Sequence, residues 1–66
     1  MPSIGNRLYS WRHTYRWTQQ RVADELGVTV RTIGRWERGE DAPGPLWAYR
    51  LDDLIQRPPE GWRRDA

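Results

Sequence analysis

Trp17 to Gly39 reads W-T-Q-Q-R-V-A-D-E-L-G-V-T-V-R-T-I-G-R-W-E-R-G, and its reading decides the fold. Each half opens on a threonine and closes on a glycine. Thr18 and Thr29 suit helix N-caps, because a hydroxyl oxygen there accepts a backbone N–H that has no partner inside the helix. Gly27 and Gly39 suit helix C-termini, where the chain turns through positive φ. Between these signals Val22, Ala23 and Leu26 form one apolar stripe, and Ile33 with Trp36 forms another. Two short helices joined by a glycine turn make a helix-turn-helix, and the second has the length and charge to enter a DNA major groove.

Working outward, Ser3 caps a first helix running to about Tyr15, with Ile4, Leu8 and Trp11 on one face. Beyond Gly39, Glu40-Asp41-Ala42-Pro43-Gly44 reads as a loop. Pro45 opens a fourth helix that lasts to about Gln56, with Leu46, Tyr49 and Leu54 as apolar contacts and Leu51 as a further candidate. Arg57-Pro58-Pro59 stops it. The expected fold is all-α: a bundle of four short helices, five at most. Residues 1–57 form the helix-turn-helix domain and 58–66 a C-terminal tail.

The chain has 66 residues and no cysteine, so one small core must hold without a disulfide or thiolate metal site. Five tryptophans are the expected substitute. Trp11, Trp17, Trp36 and Trp47 fit the packing pattern, whereas Trp62 lies outside it. No run reaches the ~20 apolar residues of a membrane span. Met1 to Ser10 lacks an apolar signal-peptide centre, which places the protein in the cytoplasm, near the nucleoid. All 11 basic residues are arginine. Residues 1–38 carry seven arginines against Asp24, Glu25 and Glu37, a balance of +4; residues 39–66 carry four against six acids, a balance of −2. The basic half is the half with the helix-turn-helix, as binding to phosphates requires.

Candidate contacts follow from helical geometry. With Ile33 and Trp36 inward, Val30, Arg31, Gly34, Arg35 and Arg38 turn away from the core. Arg31 or Arg35 could fork onto the O6 and N7 of a guanine, Val30 could meet a thymine methyl, and Thr32 could reach a base or phosphate. Gly34 would let the helix approach DNA closely. Thr18 and Gln19 stand where a helix start favours phosphate; Thr29, Arg12 and Arg38 are further phosphate candidates. Arg12 and Glu37 could pair and orient the reading helix, although spacing alone favours two unrelated charges. Catalysis is not expected. His13 is the only histidine, and Asp52-Asp53 are helical neighbours that point apart. No catalytic residue, metal site or cofactor is called.

From Thr18 to Pro43 the chain resembles the Cro and phage-repressor (XRE-type) family, through Thr18-Gln19, Val22-Ala23, Leu26-Gly27-Val28-Thr29, Thr32-Ile33, Trp36-Glu37-Arg38-Gly39 and Pro43. Ile4-Gly5 with Arg7-Leu8 is similar to the usual opening of helix 1. The resemblance implies a lambda-repressor-like fold and a transcriptional regulator, a repressor binding an operator as a homodimer. It implies that Gln19 meets the phosphate backbone, that Val30, Arg31, Thr32 and Arg35 face bases or nearby phosphates, and that Arg12 pairs with Glu37. Three departures stand out. Arg16 occupies a place that is usually glycine, the loop after helix 3 is acidic, and the usual fifth helix is replaced by the Pro58-Pro59 tail. A dimer must then use helix 4 and the tail, with Trp47, Tyr49, Leu51, Ile55 and Trp62 as candidate residues. The competing expectation is an antitoxin that caps a toxin through helix 4 and the tail while also regulating its own promoter. An antirepressor is another conceivable protein partner. A DNA-bending excision factor is a third reading, against which stands the lack of strands for a wing.

Overall fold

The computed structural model describes residues 3–59, and among these every regular element is helical. Four helices follow one another: α1 Ile4–Tyr15, α2 Gln19–Leu26, α3 Val30–Arg38 and α4 Pro45–Ile55. The first three share one chemistry of initiation. Ser3 Oγ accepts from Asn6 N at 3.1 Å, Thr18 Oγ1 from Arg21 N at 3.1 Å and Thr29 Oγ1 from Thr32 N at 3.3 Å. Each satisfies a donor that the helix itself cannot. The fourth begins at Gly44 without a side-chain cap, with Pro45 in its first turn.

Termination is equally uniform. Arg16, Gly27 and Gly39 adopt left-handed backbone with φ of 59°, 77° and 76°. Beyond each, the next amide reaches back five residues: Trp17 N to Arg12 O at 2.9 Å, Val28 N to Ala23 O at 3.0 Å and Glu40 N to Arg35 O at 3.0 Å. This closure uses the last free carbonyls and reverses the chain sharply. Arg16 therefore keeps the turn that a glycine would make and bears its strain, roughly 1–2 kcal/mol for an L-residue.

The reversals stack the apolar stripes on one another. α2 packs on α3, and α1 packs on both α3 and α4. Leu8, Val22, Ala23, Ile33 and Leu51 are fully buried, and Trp36 and Leu26 nearly so. Ile4, Trp17, Val28, Trp47, Leu54 and Ile55 close the cluster at its edges. Trp11 is buried and sets its ring edge-on to Tyr15 and Trp17, with centroids 5.3 and 5.2 Å away. Its Nε1 donates to Arg57 O at 2.9 Å, and Pro59 is also buried, so the chain stays attached to the body beyond α4.

The face of α4 differs from the sequence expectation. Leu46 and Tyr49 are 65% and 72% exposed, while Leu51 lies at the centre of the core. Apolar residues stand on nearly every side of this helix. Contact with α1, and of Trp47 with Trp36 of α3, selects the Trp47, Leu51, Leu54 and Ile55 side and leaves Leu46 and Tyr49 outside.

Gly5 shows how closely α1 approaches α3. A methyl group built there would overlap the carbonyl oxygen of Trp36 and come within 2.8 Å of its carbon. Backbone cannot yield as a side-chain tip can. Gly5→Ala is therefore expected to lower stability by about 1–3 kcal/mol through forced separation of the helices. Arg16→Gly should act oppositely: relief of left-handed strain, partly offset by a more flexible unfolded chain, leaves a net gain of about 0.5–1 kcal/mol. Urea denaturation of the two variants beside the parent chain measures both, and a destabilised Arg16→Gly would contradict the strain argument.

Candidate nucleic-acid interface

Three helix segments meet at one carboxylate. Glu37, in the last turn of α3, has a side chain only 4% exposed. Arg12 of α1 donates to it twice, Nε to Oε2 and Nη2 to Oε1, both at 2.8 Å. The remaining Arg12 nitrogen, Nη1, donates to Trp17 O at 3.1 Å. Gln19 Nε2, at the start of α2, donates to Glu37 Oε1 at 3.1 Å. Paired hydrogen bonds between a planar guanidinium and a carboxylate fix orientation as well as distance. The Glu37 hydrogen bonds raise the Arg12 pKa above its ordinary value, with desolvation opposing. Arg12 thus fastens α3 to α1, and the amide of Gln19 adds the opening of α2.

This arrangement changes two sequence expectations. Arg12 spends all three nitrogens inward and its side chain is 12% exposed, so it braces the interface and offers little surface to a phosphate. Gln19 is half-buried with its amide turned to Glu37, so a phosphate here would meet an amide already oriented from below. Thr18 and Thr29 are exposed, but their hydroxyl oxygens already accept backbone amides. The Thr29 hydroxyl also lies 3.1 Å from that of Thr32, which is half-buried.

On α3 itself, Val30 and Arg31 are exposed at the first turn. Gly34 is not on the open face: it is buried, and a methyl group there would lie 3.0 Å from Arg38 Nη1 and 3.8 Å from Gln19 Nε2. The guanidinium of Arg38 folds back over it, so the glycine makes room for that side chain rather than for DNA.

The acidic loop reaches the same helix. The reversal at Gly39 brings the next two residues back over the last turns of α3. There Glu40 Oε2 accepts from Arg38 Nε, and Asp41 Oδ2 lies 2.9 Å from Arg35 Nε. The hydrogen bond from Arg38 is the main reason that the Glu40 carboxyl titrates below its ordinary range; the charge of Arg38 adds to it. Neither pairing was expected from the sequence. The signal was present in a glycine C-cap followed directly by two acids, Glu40 two residues beyond Arg38 and Asp41 six beyond Arg35. Of the three α3 arginines, Arg31 alone has no ion-pair or hydrogen-bond partner among the described residues.

The residues named for a dimer separate into three groups. Tyr49 is exposed, Trp47 and Ile55 are half-buried against the core, and Leu51 is fully enclosed and has no surface to give a second chain. Trp62 lies outside the described residues. No cluster of metal-ligating side chains occurs among the described residues, and no helix there is long and apolar enough to cross a membrane.

A family model described as helix-turn-helix matches residues 9–62 of this chain. Neither the curated proteins nor the solved structures compared with it gave a match.

Removing one side of the pair at Glu37 leaves a poorly hydrated charge. Glu37→Ala is expected to cost roughly 3 kcal/mol, at the lower edge of the range for buried pairs because Arg12 keeps some contact with water. Arg12→Ala should cost a similar amount, and the double variant less than the two together. Chemical denaturation of the full cycle measures this, and simple additivity would show that the two side chains do not interact.

Proposed function

Because the chain belongs to the XRE-type helix-turn-helix family whose model it matches, we propose that its DNA binding is sequence-specific and that it acts as a homodimeric transcriptional repressor in the cytoplasm. The observation that carries this reading is the exposed N-terminal end of α3. Arg31 and Val30 stand there at the capped start of α3, and Arg31 has no ion-pair or hydrogen-bond partner among the described residues. Helix starts favour anions through free N–H groups and the helix dipole, so α2 seats a phosphate. α3 then enters the major groove, where Arg31 forks onto a guanine and Val30 meets a thymine methyl. Thr32 and Arg35 lie farther along the same groove, with Thr18, Gln19, Thr29 and Arg38 along the backbone. The interlock at Glu37 keeps α3 at a fixed angle to this anchor. Two copies on an inverted repeat would place their reading helices about 34 Å apart, blocking access of RNA polymerase to the promoter.

The second copy docks through α4, where Leu46 and Tyr49 are large apolar side chains left in water. The same pair favours the alternative of an antitoxin surface. The two readings separate on whether the purified chain dimerises alone and whether a small toxin-like gene lies beside its own.

Titration of the chain against duplexes from its own upstream region tests the proposal. Arg31→Ala is expected to weaken binding by about 1–3 kcal/mol and to relax preference at one base pair. Unchanged affinity and unchanged preference in both Arg31→Ala and Arg35→Ala would overturn the assignment of the reading face.

A further inference from the structure

We propose that Asp41 is a positioning residue that sets the base preference of Arg35. The inference rests on the DNA-binding reading above and adds a residue from outside the helix-turn-helix to its specificity.

Arg35 is held at two levels by the same loop. Its carbonyl oxygen accepts Glu40 N at 3.0 Å and, weakly, Asp41 N at 3.5 Å. Its side chain meets the Asp41 carboxylate at 2.9 Å through Nε. That nitrogen is sealed from solvent, and its N–H is off the line to the carboxylate, so charge rather than a directed hydrogen bond maintains the contact. The side chain as a whole is nevertheless 38% exposed, and this exposure belongs to its other atoms.

The consequence is selective. With Asp41 in contact, the sealed Nε is not offered to DNA. The carboxylate therefore does not draw on an exposed donor. It instead restrains a long, rotamer-rich side chain and leaves the terminal Nη1 and Nη2 edge to engage a guanine. Restraint before binding lowers the ordering cost and limits the geometries in which Arg35 can bond, which is what discrimination between bases requires. Glu40 provides the natural contrast. Its partner Arg38 is exposed on the flank of the helix, so Glu40 contributes a negative charge without directing a base contact.

The two acids can therefore be separated by experiment. The wild-type chain is first used to enrich duplexes from a random-sequence pool. The winning duplex and its single-base-pair variants are then titrated with wild type, Asp41→Asn, Glu40→Gln, Arg35→Ala and the Asp41→Asn/Arg35→Ala double variant. Asp41→Asn and Glu40→Gln each remove one negative charge and should shift affinity for every duplex alike. Asp41→Asn alone should also reduce discrimination at one guanine-containing base pair by about tenfold, within the range for a bidentate contact. That extra loss should vanish in the Arg35→Ala background. If Asp41→Asn merely matches Glu40→Gln on all duplexes, Asp41 is only a counter-charge and the proposal fails while the DNA-binding reading stands. If the wild-type chain enriches no sequence, both fail together.

Discussion

The structure depends on the geometry around Glu37. A carboxylate this enclosed needs compensation for the water it has lost. It receives two hydrogen bonds from Arg12 and one from Gln19, donated by α1 and α2. Glu37 and its two partners come from three separate helices, so satisfying one charge fixes the relative placement of all three. The apolar stripes supply cohesion but are tolerant of small rotations. The guanidinium–carboxylate fork is not, because both of its bonds must be made in one plane. The close seat of Gly5 against the Trp36 carbonyl adds a steric limit beside this electrostatic one.

Electrostatics on α3 follow from how that helix ends. The reversal at Gly39 is a local backbone event, yet it alters the charge of the exposed side of α3 by delivering Glu40 and Asp41 onto Arg38 and Arg35. Net charge along the chain gave no hint of this distribution. The acids belong to the negative half of the sequence and neutralise part of the positive half. Of the arginines on α3, Arg31 in the first turn is the one left without an ion pair among the described residues.

The caps were legible in the sequence because their chemistry is local. Ser3, Thr18, Thr29, Gly27 and Gly39 each needed only their neighbours to be read correctly. Arg16 was legible only as a departure at a place that is usually glycine, and the structure keeps the left-handed turn there. Arg12 and Glu37 sit 25 positions apart, so their meeting required the packing of α1 on α3, which the family resemblance supplied and spacing did not. Errors arose where several faces of a helix were chemically alike. In α4 the apolar residues nearly encircle the axis, and only the neighbouring helices determine that Leu51 goes in and Leu46 goes out. Gly34 was misplaced for a related reason, since the long side chain of Arg38 could fold over a bare position that counting residues had assigned to the outside.

Trp11 and Arg12 are consecutive residues with opposite attachments. The indole grips the carbonyl of Arg57 behind α4, while the guanidinium grips the end of α3. One turn of α1 therefore acts as a rivet through the whole body. A partner that levered the chain away after α4 would load this same turn, and the strain would arrive at the base of α3.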